Sequence, residues 1–510
     1  MTGKEKLILI AILVIAFVFR FQDIQLIPPG LYPDEAINGN NALIALETGD
    51  YKVFYPENNG REGLFINIQA LFLKLFGAEP WVLRSVSATL GFLTVLGLYL
   101  LVRLLFNWQI ASIASFYLAV SFWHVVFSRI GFRAIMVPFL MVWGFYFLWQ
   151  GLKDFKFKSF ALSGLIFGLG FHTYIAFRFV PFIVILVLLN YWWSIKRDYG
   201  HHQYLELRNE FLRRFALFFL VAFFAALPIL NYFWQNPDDF IGRGGQVSIF
   251  EAEEPIKEFF KSLGLTLASF NFTGDQNFRH NFSGSPLLFW LVGAFFIVGL
   301  LKSFSKCLKK WREHGHPAAL HVLLLSWFFI MLLPSALTRE GIPHALRSIG
   351  VLPVVMILAA EGTWWFFKTL IHWYREKDIH PLESPYKKEK EARLFVGAAL
   401  ILLLASISFA EYDKYFNKWA KRPEVQDAFS ADFARTGKQI NQLAKEVPKY
   451  IVINTDGVLV DGIPMPAQTV MFITQTYTKE RQKEKNVFYI LAGEEKFIKE
   501  KNAVILPLIK

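Results

Sequence analysis

The stretch Ile27-Pro28-Pro29-Gly30-Leu31-Tyr32-Pro33-Asp34-Glu35-Ala36 follows the first apolar run of the chain and opens a predicted helix. Proline suits the first helical position, because the N–H that it lacks would have no partner there. Asp34 and Glu35 then fall in the first turn, where free backbone N–H groups favour negative charge. The two acids therefore have two interpretations. They complement the helix dipole, or they form a catalytic pair at the membrane boundary, where the low dielectric tunes carboxylate chemistry.

The composition is typical of a membrane protein. Apolar residues make up 54% of the 510 residues and charged residues only 18%, which is more apolar surface than a globular core can bury. The net charge of +12 comes from basic residues that cluster between apolar runs. That distribution indicates membrane topology and does not favour nucleic-acid binding. The single cysteine, Cys307, excludes an intrachain disulfide.

The apolar runs predict a polytopic α-helical protein. A helix needs about 20 residues to cross a bilayer, so we predict about eleven transmembrane helices. With the N-terminus in the cytoplasm, most basic residues fall on cytoplasmic segments. This predicts a multi-pass plasma (inner) membrane protein with an extracytoplasmic C-terminal domain. The runs lie near residues 7–22, 82–105, 109–127, 134–151, 159–176, 179–195, 215–234, 286–301, 318–337, 348–367 and 394–410.

Two long outer loops interrupt the predicted membrane domain, residues 1–411. The first, residues 23–80, carries the acidic helix and a helix near residues 62–76, whose apolar face predicts that it lies along the membrane surface. The second, residues 235–285, is rich in Gly, Asn and Asp, which predicts a mobile loop and a candidate lid.

The last hundred residues change in composition. Residues 423–446 and a segment near 466–476 are predicted to be helical, and short apolar runs at 449–454, 487–491 and 503–506 are predicted to be buried strands. We therefore expect residues 412–510 to form a small soluble α/β domain with a mostly parallel sheet.

Basic and polar residues recur at the outer ends of the predicted spans. A single arginine there usually anchors a helix to lipid headgroups. Several together need another explanation, because short outer turns usually carry few arginines. A guanidinium binds phosphate through two parallel hydrogen bonds, so the set predicts an anion-binding rim. Its members are Arg84, Arg129, Arg133, His172, Tyr174, Arg178, His344 and Arg347.

A basic rim around two acids suits glycosyl transfer from a lipid-phosphate sugar. A carboxylate would take the proton of the acceptor hydroxyl as a general base. Fixed arginines would stabilise the charge on the departing phosphate. A single inverting displacement needs only one such carboxylate, whereas a retaining hydrolase needs two separated ones.

With these features, the chain resembles the GT-C class of polytopic glycosyltransferases, which includes protein O-mannosyltransferases and the lipid A aminoarabinose transferase. The resemblance covers residues 5–370. The features that carry it are Tyr32-Pro33-Asp34-Glu35-Ala36, Asn58-Asn59-Gly60-Arg61-Glu62-Gly63, Ser128-Arg129 with Arg133, and Gly341-Ile342-Pro343-His344-Ala345-Leu346-Arg347-Ser348.

The resemblance implies a polyprenyl- or dolichyl-phosphate monosaccharide donor and an inverting mechanism. Asp34 is then the expected base, Glu35 orients the acceptor or neighbouring arginines, and Glu62 is a further acidic member. The implied ligands of the donor phosphate are Arg84, Arg129, Arg133 and Arg347, and the implied further substrate contacts are His172, Tyr174, Arg178 and His344.

No cofactor is certain from the sequence, and a divalent metal stays open. Some relatives bind such a metal through Glu and His, and His172, His280 and His344 are the available histidines. Their spacing is not that of a metal motif. Asp238-Asp239 is better interpreted as a turn.

Two alternatives remain at this point. One is an oligosaccharyltransferase or glycan ligase with a lipid-diphosphate donor. The other is a non-enzymatic transporter of lipid-linked sugars, although transporters usually place polar groups near the bilayer midplane. The expected partners are the lipid-linked sugar, an acceptor lipid, glycan or protein, and the bilayer, but not nucleic acid.

Overall fold

The computed structural model describes residues 1–198, 201–314, 318–377 and 385–509. Most of this part of the chain is helical, as the apolar runs predict. The helices are α1 (Gly3–Phe21), α2 (Pro33–Thr48), α3 (Leu64–Phe76), α4 (Pro80–Leu105), α5 (Trp108–Val120), α6 (Phe122–Ser128), α7 (Met136–Asp154), α8 (Phe157–Gly170), α9 (Val180–Asp198), α10 (His201–Gln235), α11 (Pro237–Gln246), α12 (Pro255–Ala268), α13 (Trp290–His314), α14 (Ala319–Ala336), α15 (Leu352–Lys377), α16 (Pro385–Tyr412), α17 (Pro423–Ala428), α18 (Ala431–Gln442), α19 (Ala467–Thr474) and α20 (Lys479–Lys485). The strands are β1 (Phe54–Tyr55), β2 (Arg61–Glu62), β3 (Lys449–Asn454), β4 (Leu459–Val460), β5 (Ile463–Pro464), β6 (Val487–Leu491) and β7 (Val504–Ile509).

The protein is a multi-pass membrane protein. In the described residues, eight helical segments are long and apolar enough to cross a bilayer, and a ninth is counted if α5 and α6, bent by 59°, form one span. The remaining two predicted spans fall on α1 and α8. The 19 residues of α1 include four charged ones, and α8 has only 14 residues. The eight segments are Pro80–Leu105, Arg133–Asp154, Ile175–Arg197, Leu205–Gln235, Trp290–His314, Ala319–Ala336, Ile349–Tyr374 and Glu389–Trp419.

Three long segments of the chain lie together at one end of the membrane helices. We call this end the loop face. Residues 22–79 hold α2, the β1–β2 hairpin and α3. The tail after α16 contacts this segment through the Thr469 hydroxyl, which donates to the Leu31 carbonyl at 2.9 Å. It contacts the segment between α10 and α13 through the Trp419 indole, which donates to the Phe278 carbonyl at 2.9 Å. The loop face therefore joins parts of the chain that are far apart in sequence.

Helix α3 is only partly the surface helix that the sequence predicts. Leu71 and Leu75 remain exposed, as expected of a helix that lies along the membrane. Phe65, however, is fully buried together with Ile66. The reason is that α3 packs against both α2 and α4, so its apolar residues serve two surfaces.

Residues 235–285 were predicted to form a mobile loop. This prediction is wrong for the part of the segment that forms α11 and α12. Helix α12 packs against α14 through small polar side chains. The Ser262 hydroxyl donates to the Ser335 carbonyl at 3.2 Å, and Thr266 and Ser335 are joined by a hydroxyl pair at 3.1 Å. Such short side chains carry little hydrophobic periodicity, which is why the helix is hard to recognise in the sequence. Residues 269–289, by contrast, consist mainly of turns.

The C-terminal region contains the predicted parallel sheet. Strand β3 lies in the centre of the order β6-β3-β7 and pairs with both neighbours in parallel. Its core is formed by α18, α19 and one sheet face, with Ile451, Val470 and Phe433 buried. The predicted helix near 466–476 is α19, and the predicted strands are β3, β6 and β7. The chain passes into this region without a break at residue 411, because α16 continues into a π-helix, Asp413–Trp419.

Helix α19 packs directly on α2. The Asn40 amide donates to the Gln468 side-chain oxygen at 2.8 Å, and Phe472 lies so close to Gly39 that a Cβ there would be 2.5 Å from its ring. At the far end of α2, Arg481 and Tyr477 both donate to Glu47. The helix that carries Asp34 and Glu35 is thus held by the last part of the chain.

Candidate active site

The first turn of α2 forms as the sequence predicts. Pro33 is the first helical residue and Tyr32 is the N-cap. The Tyr32 backbone N–H donates to a Glu35 carboxylate oxygen at 3.2 Å, which satisfies a donor that would otherwise have no partner. Gly49 ends the helix in the left-handed conformation, with φ of 74°.

Glu35 is fully buried and accepts hydrogen bonds from Arg84 and from the backbone of Tyr32 and Gly131. Arg84 donates to both carboxylate oxygens, at 3.0 and 3.1 Å, in the bidentate geometry. The Gly131 backbone N–H donates to the same carboxylate at 2.8 Å. The carboxylate therefore joins α2, α4 and the turn after α6. It has no exposed surface to offer to a substrate.

Arg84 and Arg129 are both buried, and both donate to backbone carbonyls. Besides Glu35, Arg84 reaches the carbonyls of Pro28 at 2.6 Å and Gly30 at 2.9 Å. Arg129 donates to the carbonyls of Phe19, Gln22 and Ile27 at 2.7–3.2 Å, and its guanidinium lies over the rings of Tyr415 and Phe416. These two arginines hold the chain that leads from α1 to α2. The structure does not bring either of them to Asp34.

Asp34 points to a different group of residues. The Asn58 amide donates to Asp34 Oδ1 at 2.5 Å. The charges of Asp34 and Arg279 both act on the Tyr32 hydroxyl, and the Arg279 guanidinium lies 4.1 Å from the centre of the Tyr32 ring. Burial, and then the neighbouring Asp34 charge, raise the pKa of Tyr32 above its ordinary value, so the hydroxyl stays protonated as a donor. Asp34 itself is only partly buried, unlike Glu35.

The turn that carries Asn58 has an unusual backbone. Asn58, Asn59 and Gly60 have φ of 53°, 63° and 82°, three successive residues in the left-handed region. Asparagine and glycine are the residues that tolerate this region best. Two arginines hold the turn: Arg61 donates to the Glu57 carbonyl at 3.2 Å, and Arg133 donates to the Gly60 carbonyl at 3.2 Å. The Asn58 amide is thereby fixed toward Asp34.

Arg61 connects this turn to α2. Its guanidinium donates to the side chains of Asn38 and Asn41, each at 2.8 Å, and is 2% exposed. Burial, and then the charge of Arg133, lower the pKa of Arg61 to about 10, so it remains charged at neutral pH. The negative charge of Asp34 acts in the opposite direction and raises the pKa of Arg61.

Glu62 and Arg133 form an ion pair beside this turn. Arg133 Nε donates to Glu62 at 2.9 Å, and the guanidinium lies 5.5 Å from the centre of the Tyr174 ring. Arg133 is partly accessible, with 21% of its side chain exposed, whereas Glu62 is buried. Of the predicted arginines, Arg133 is the one that the structure brings next to the Asp34 turn.

His172 and Arg178 lie at the margin of this site. Both are close enough to Glu62 for its charge to act on them. His172 Nε2, however, contacts the Ala225 carbonyl at 2.9 Å, and Arg178 donates to the Phe240 carbonyl at 2.6 Å. Arg178 thus ties α11 to the start of α9.

The remaining predicted residues, His344 and Arg347, belong to a second cluster with Asp275 and His280. The Asp275 carboxylate accepts from His280 Nδ1 at 3.1 Å and from the Ala345 backbone N–H at 2.8 Å. The rings of His280 and His344 lie 4.8 Å apart. Burial lowers the pKa of His280 below its ordinary value, although the Asp275 charge opposes this, so His280 favours its neutral form. Arg347 donates to Thr338 and to the Glu340 carbonyl.

Arg279 connects the two clusters, and the sequence analysis missed it. It follows Asn277, whose side chain accepts from both its backbone and its side chain, and it reaches Tyr32 and so Asp34. The signal was present, because Arg279 is an arginine in a predicted outer loop, where arginines are infrequent. Asp275 was missed as well. Tyr32, Asn58 and Arg61 stand in the quoted motifs but were given no role, since none of them lies at the end of a predicted span.

Comparisons with known proteins bear on the fold of the chain. Residues 64–206 match the family model described as dolichyl-phosphate-mannose-protein mannosyltransferase. ArnT from Cupriavidus metallidurans bound to undecaprenyl phosphate is similar over 99% of this chain and 90% of that chain, with a TM-score of 0.53 and 15% identity. The fold is that of the GT-C glycosyltransferases.

A second GT-C structure, the apo oligosaccharyltransferase of Archaeoglobus fulgidus, is similar over 96% of this chain with a TM-score of 0.55 and 14% identity. This chain spans 64% of that protein. The complex of the same oligosaccharyltransferase with Zn and sulfate has a TM-score of 0.51 and 14% identity, over 94% of this chain and 67% of that one. A comparison with curated proteins finds no match. The matched family segment contains Arg84, Arg129 and Arg133, whereas Asp34 precedes it.

Proposed function

We propose that this protein transfers a monosaccharide, with inversion, from a polyprenyl-phosphate donor to an acceptor on the extracytoplasmic side of the membrane. The observation that carries the proposal is the environment of Asp34. A partly exposed carboxylate is fixed by the Asn58 amide at 2.5 Å and lies beside Tyr32 and Arg279 at the loop face. The GT-C fold supports a lipid-linked donor.

In this reaction, the acceptor hydroxyl oxygen attacks the anomeric carbon, and the bond from that carbon to the phosphate oxygen breaks. Asp34 takes the hydroxyl proton as general base. The electron pair of the broken bond leaves with the polyprenyl phosphate, whose growing negative charge needs nearby cations. The sugar configuration inverts because the attack is a single displacement.

The contacts of the other carboxylates favour this single displacement. The Glu35 carboxylate accepts hydrogen bonds from Arg84 and Gly131, and the Glu62 carboxylate forms an ion pair with Arg133. A double displacement needs a second free carboxylate about 5 Å from the first, and neither of these two is free. We therefore assign Glu35 to positioning α2, and Glu62 to holding Arg133.

We propose Arg279 and Arg133 as the cations for the donor phosphate. Arg279 adjoins Asp34 through Tyr32, and Arg133 adjoins the Asn58 turn and is partly exposed. Arg84 and Arg129, predicted for this role, instead donate to Glu35 and to backbone carbonyls. Arg347, also predicted to bind the donor phosphate, instead belongs to the second cluster, where it donates to Thr338 and to the Glu340 carbonyl.

A divalent metal fits the second cluster. One ligand atom each from Asp275, His280 and His344 can be chosen so that all three lie within 4.8 Å of one another. Imidazole nitrogen and carboxylate oxygen are a donor set that suits Zn²⁺, and the neutral form favoured by His280 is the one that binds a metal. His172 is not part of this group. The metal, when bound, would fix the segment that carries Arg279.

The metal proposal is tested by elemental analysis of the purified protein. We expect the parent protein to retain the metal and His280→Ala to lose it, because the variant removes one of the three ligands. His172→Ala is the matched control, because that histidine contacts Ala225. Equal metal content in both variants would reject the assignment.

We further propose that the N-terminus is cytoplasmic and the loop face extracytoplasmic. The concentration of basic residues on the opposite segments supports this orientation. In a Cys307→Ser background, a cysteine at the exposed Val458 should react with an impermeant reagent in intact cells, whereas one at Lys153 should not. The reverse pattern would invert the topology.

The decisive test supplies radiolabelled polyprenyl-phosphate sugars to the purified protein and compares Asp34→Asn with the parent. We expect the variant to bind donor but to transfer little. Asp50→Asn, an exposed acid after the same helix, is the control and should transfer normally. Equal transfer by parent and Asp34→Asn would remove Asp34 from the base role. Transfer only from diphosphate donors would instead favour an oligosaccharyltransferase.

A further inference from the structure

A large apolar groove lies away from the candidate active site. It has a volume of about 1620 Å³ and is formed by α1, α5, α15 and α16. Ile12, Phe116, Trp364 and Ile401 are among the side chains that line it. In a membrane helix bundle, such a space is filled by lipid chains, because water there would leave its hydrogen bonds unmade.

The end of the groove that lies opposite the loop face carries basic residues. Lys368, His372 and Arg393 line it there. Lys4 lies close by, with its ammonium 5.6 Å from the centre of the ring of Trp108, another lining residue. Arg393 is neutralised by Glu389, but no acidic partner of Lys368 or Lys4 occurs among the described residues. The groove thus combines an apolar body with two available cations at one end.

These cations are too far from Asp34 to hold the phosphate of the sugar donor. Lys368 follows Leu352, the first residue of α15 at the loop face, by 16 residues, a rise of about 24 Å. Arg393 precedes Tyr412 by 19 residues, a rise of about 28 Å. Both spacings approach the hydrocarbon thickness of about 30 Å. A phosphate bound at this end therefore lies in the other leaflet from the donor phosphate.

We propose that this groove binds a phospholipid with an anionic headgroup from the leaflet opposite the loop face. Its phosphate contacts Lys368 and Lys4, and its acyl chains lie along α1 and α16. Basic pockets between transmembrane helices are a known way to recognise such headgroups. This lipid binding involves only the groove and its charges, so it does not depend on the proposed glycosyl transfer.

The bound lipid has a structural consequence for α16. This helix contacts few neighbours along its membrane part, because only 17% of its apolar stretch is buried inside the protein. Its loop-face end continues into the π-helix whose Tyr415 and Phe416 pack on Arg129. A lipid in the groove would therefore fill the space between α16 and α1 and fix the helix that leads to the tail.

The test measures the phospholipids that remain with protein purified in mild detergent, by solvent extraction and mass spectrometry. The charge variant is Lys368→Gln, with Lys153→Gln as control, since Lys153 is an exposed lysine on another helix. The space variant is Gly397→Phe, because a Cβ at this lining glycine meets nothing within 4 Å. Its control is Leu402→Phe, an exposed position of α16 outside the groove.

We expect the parent and both controls to retain anionic phospholipid. Lys368→Gln should lower it about fivefold, the change that corresponds to the ~1 kcal/mol of one basic contact, and Gly397→Phe should remove it. Equal retention in Lys368→Gln and Lys153→Gln would overturn the proposal. So would loss of neutral and anionic lipids to the same extent, or recovery of polyprenyl phosphate as the groove lipid. If Gly397→Phe does not fold, the lysine pair of variants still decides.

Discussion

The side-chain amide of Asn58 donates a hydrogen bond of 2.5 Å to Asp34, across the first loop from a turn in the left-handed conformation. An amide donor of this kind fixes one carboxylate oxygen and leaves the other for the acceptor. We therefore assign Asn58 as a positioning residue for the proposed base.

Asn58→Gly should lower kcat about 10- to 100-fold with little change in the KM for donor. Glycine keeps the left-handed backbone but removes the amide, and a hydrogen bond to a charged group contributes about 1.5–3 kcal/mol. The measurement is steady-state transfer with a polyprenyl-phosphate sugar. Asn59→Gly is the matched control at the next left-handed residue and should behave as the parent. A rise in KM alone would indicate that the turn binds the donor and does not position Asp34.

Arg279→Ala should raise the KM for the donor, because it removes a cation beside Asp34. Arg279→Lys should recover part of the loss, since it restores the charge without the bidentate geometry. Arg422→Ala is the control, as this arginine lies over the Phe282 ring of the same segment and is partly exposed. The affinity of each variant for the donor is measured by titration in a binding assay. An unchanged affinity in Arg279→Ala would leave Arg133 as the proposed phosphate ligand.

Arg84→Ala should destabilise the protein strongly. It leaves the buried Glu35 carboxylate without its ion-pair partner, and breaking such a pair costs about 3–5 kcal/mol. Thermal unfolding in detergent measures the effect. Lys257→Ala removes an ion pair with Glu254 in which both side chains are exposed, and should cost no more than about 1 kcal/mol. Similar melting temperatures for the two variants would contradict the structural role of Arg84.

The link between α2 and the tail should weaken in acid. Burial favours a higher pKa for Glu47, but hydrogen bonds from Arg481 and Tyr477 outweigh it and hold the pKa of Glu47 below its ordinary value of 4.5. A depressed carboxylate pKa contributes stability above the unfolded value and loses it as the pH falls through the folded one. The contribution is small, because the pair is more than a third exposed on the Glu47 side.

Arg481→Leu should therefore melt below the parent at pH 7, and the two should converge below pH 4.5. The measurement is a series of thermal melts across this pH range. Lys479→Leu, a change at the start of the same helix, serves as the control and should show no such convergence. A difference that persists in acid would show that Arg481 acts through packing.

The sequence predicts the membrane helices, the parallel tail sheet and the start of α2, because each rests on local signals. Apolar length, strand composition and a proline before two acids are all local features. It could place arginines at the ends of spans, but not the direction in which each guanidinium points. Arg84 and Arg129 turn inward to carbonyls, whereas Arg133 remains partly accessible.

The parts of the site that could not be predicted depend on contacts between distant segments. Arg279 lies over the ring of Tyr32, two residues before Asp34, only because residues 269–289 fold back onto the first loop. Asp275 meets His344 across nearly 70 residues. Helix α12 was missed because Ser262 and Thr266, the residues that it buries, are polar. No periodic pattern reports such pairings.

The packing of α19 on α2 also orders events during synthesis. Thr469, which donates to the Leu31 carbonyl, is synthesised 438 residues after Leu31, and Phe472, which packs on Gly39, follows it. Helix α2 therefore lacks these contacts while the membrane helices are being made, and it acquires its final packing only after they have been translated.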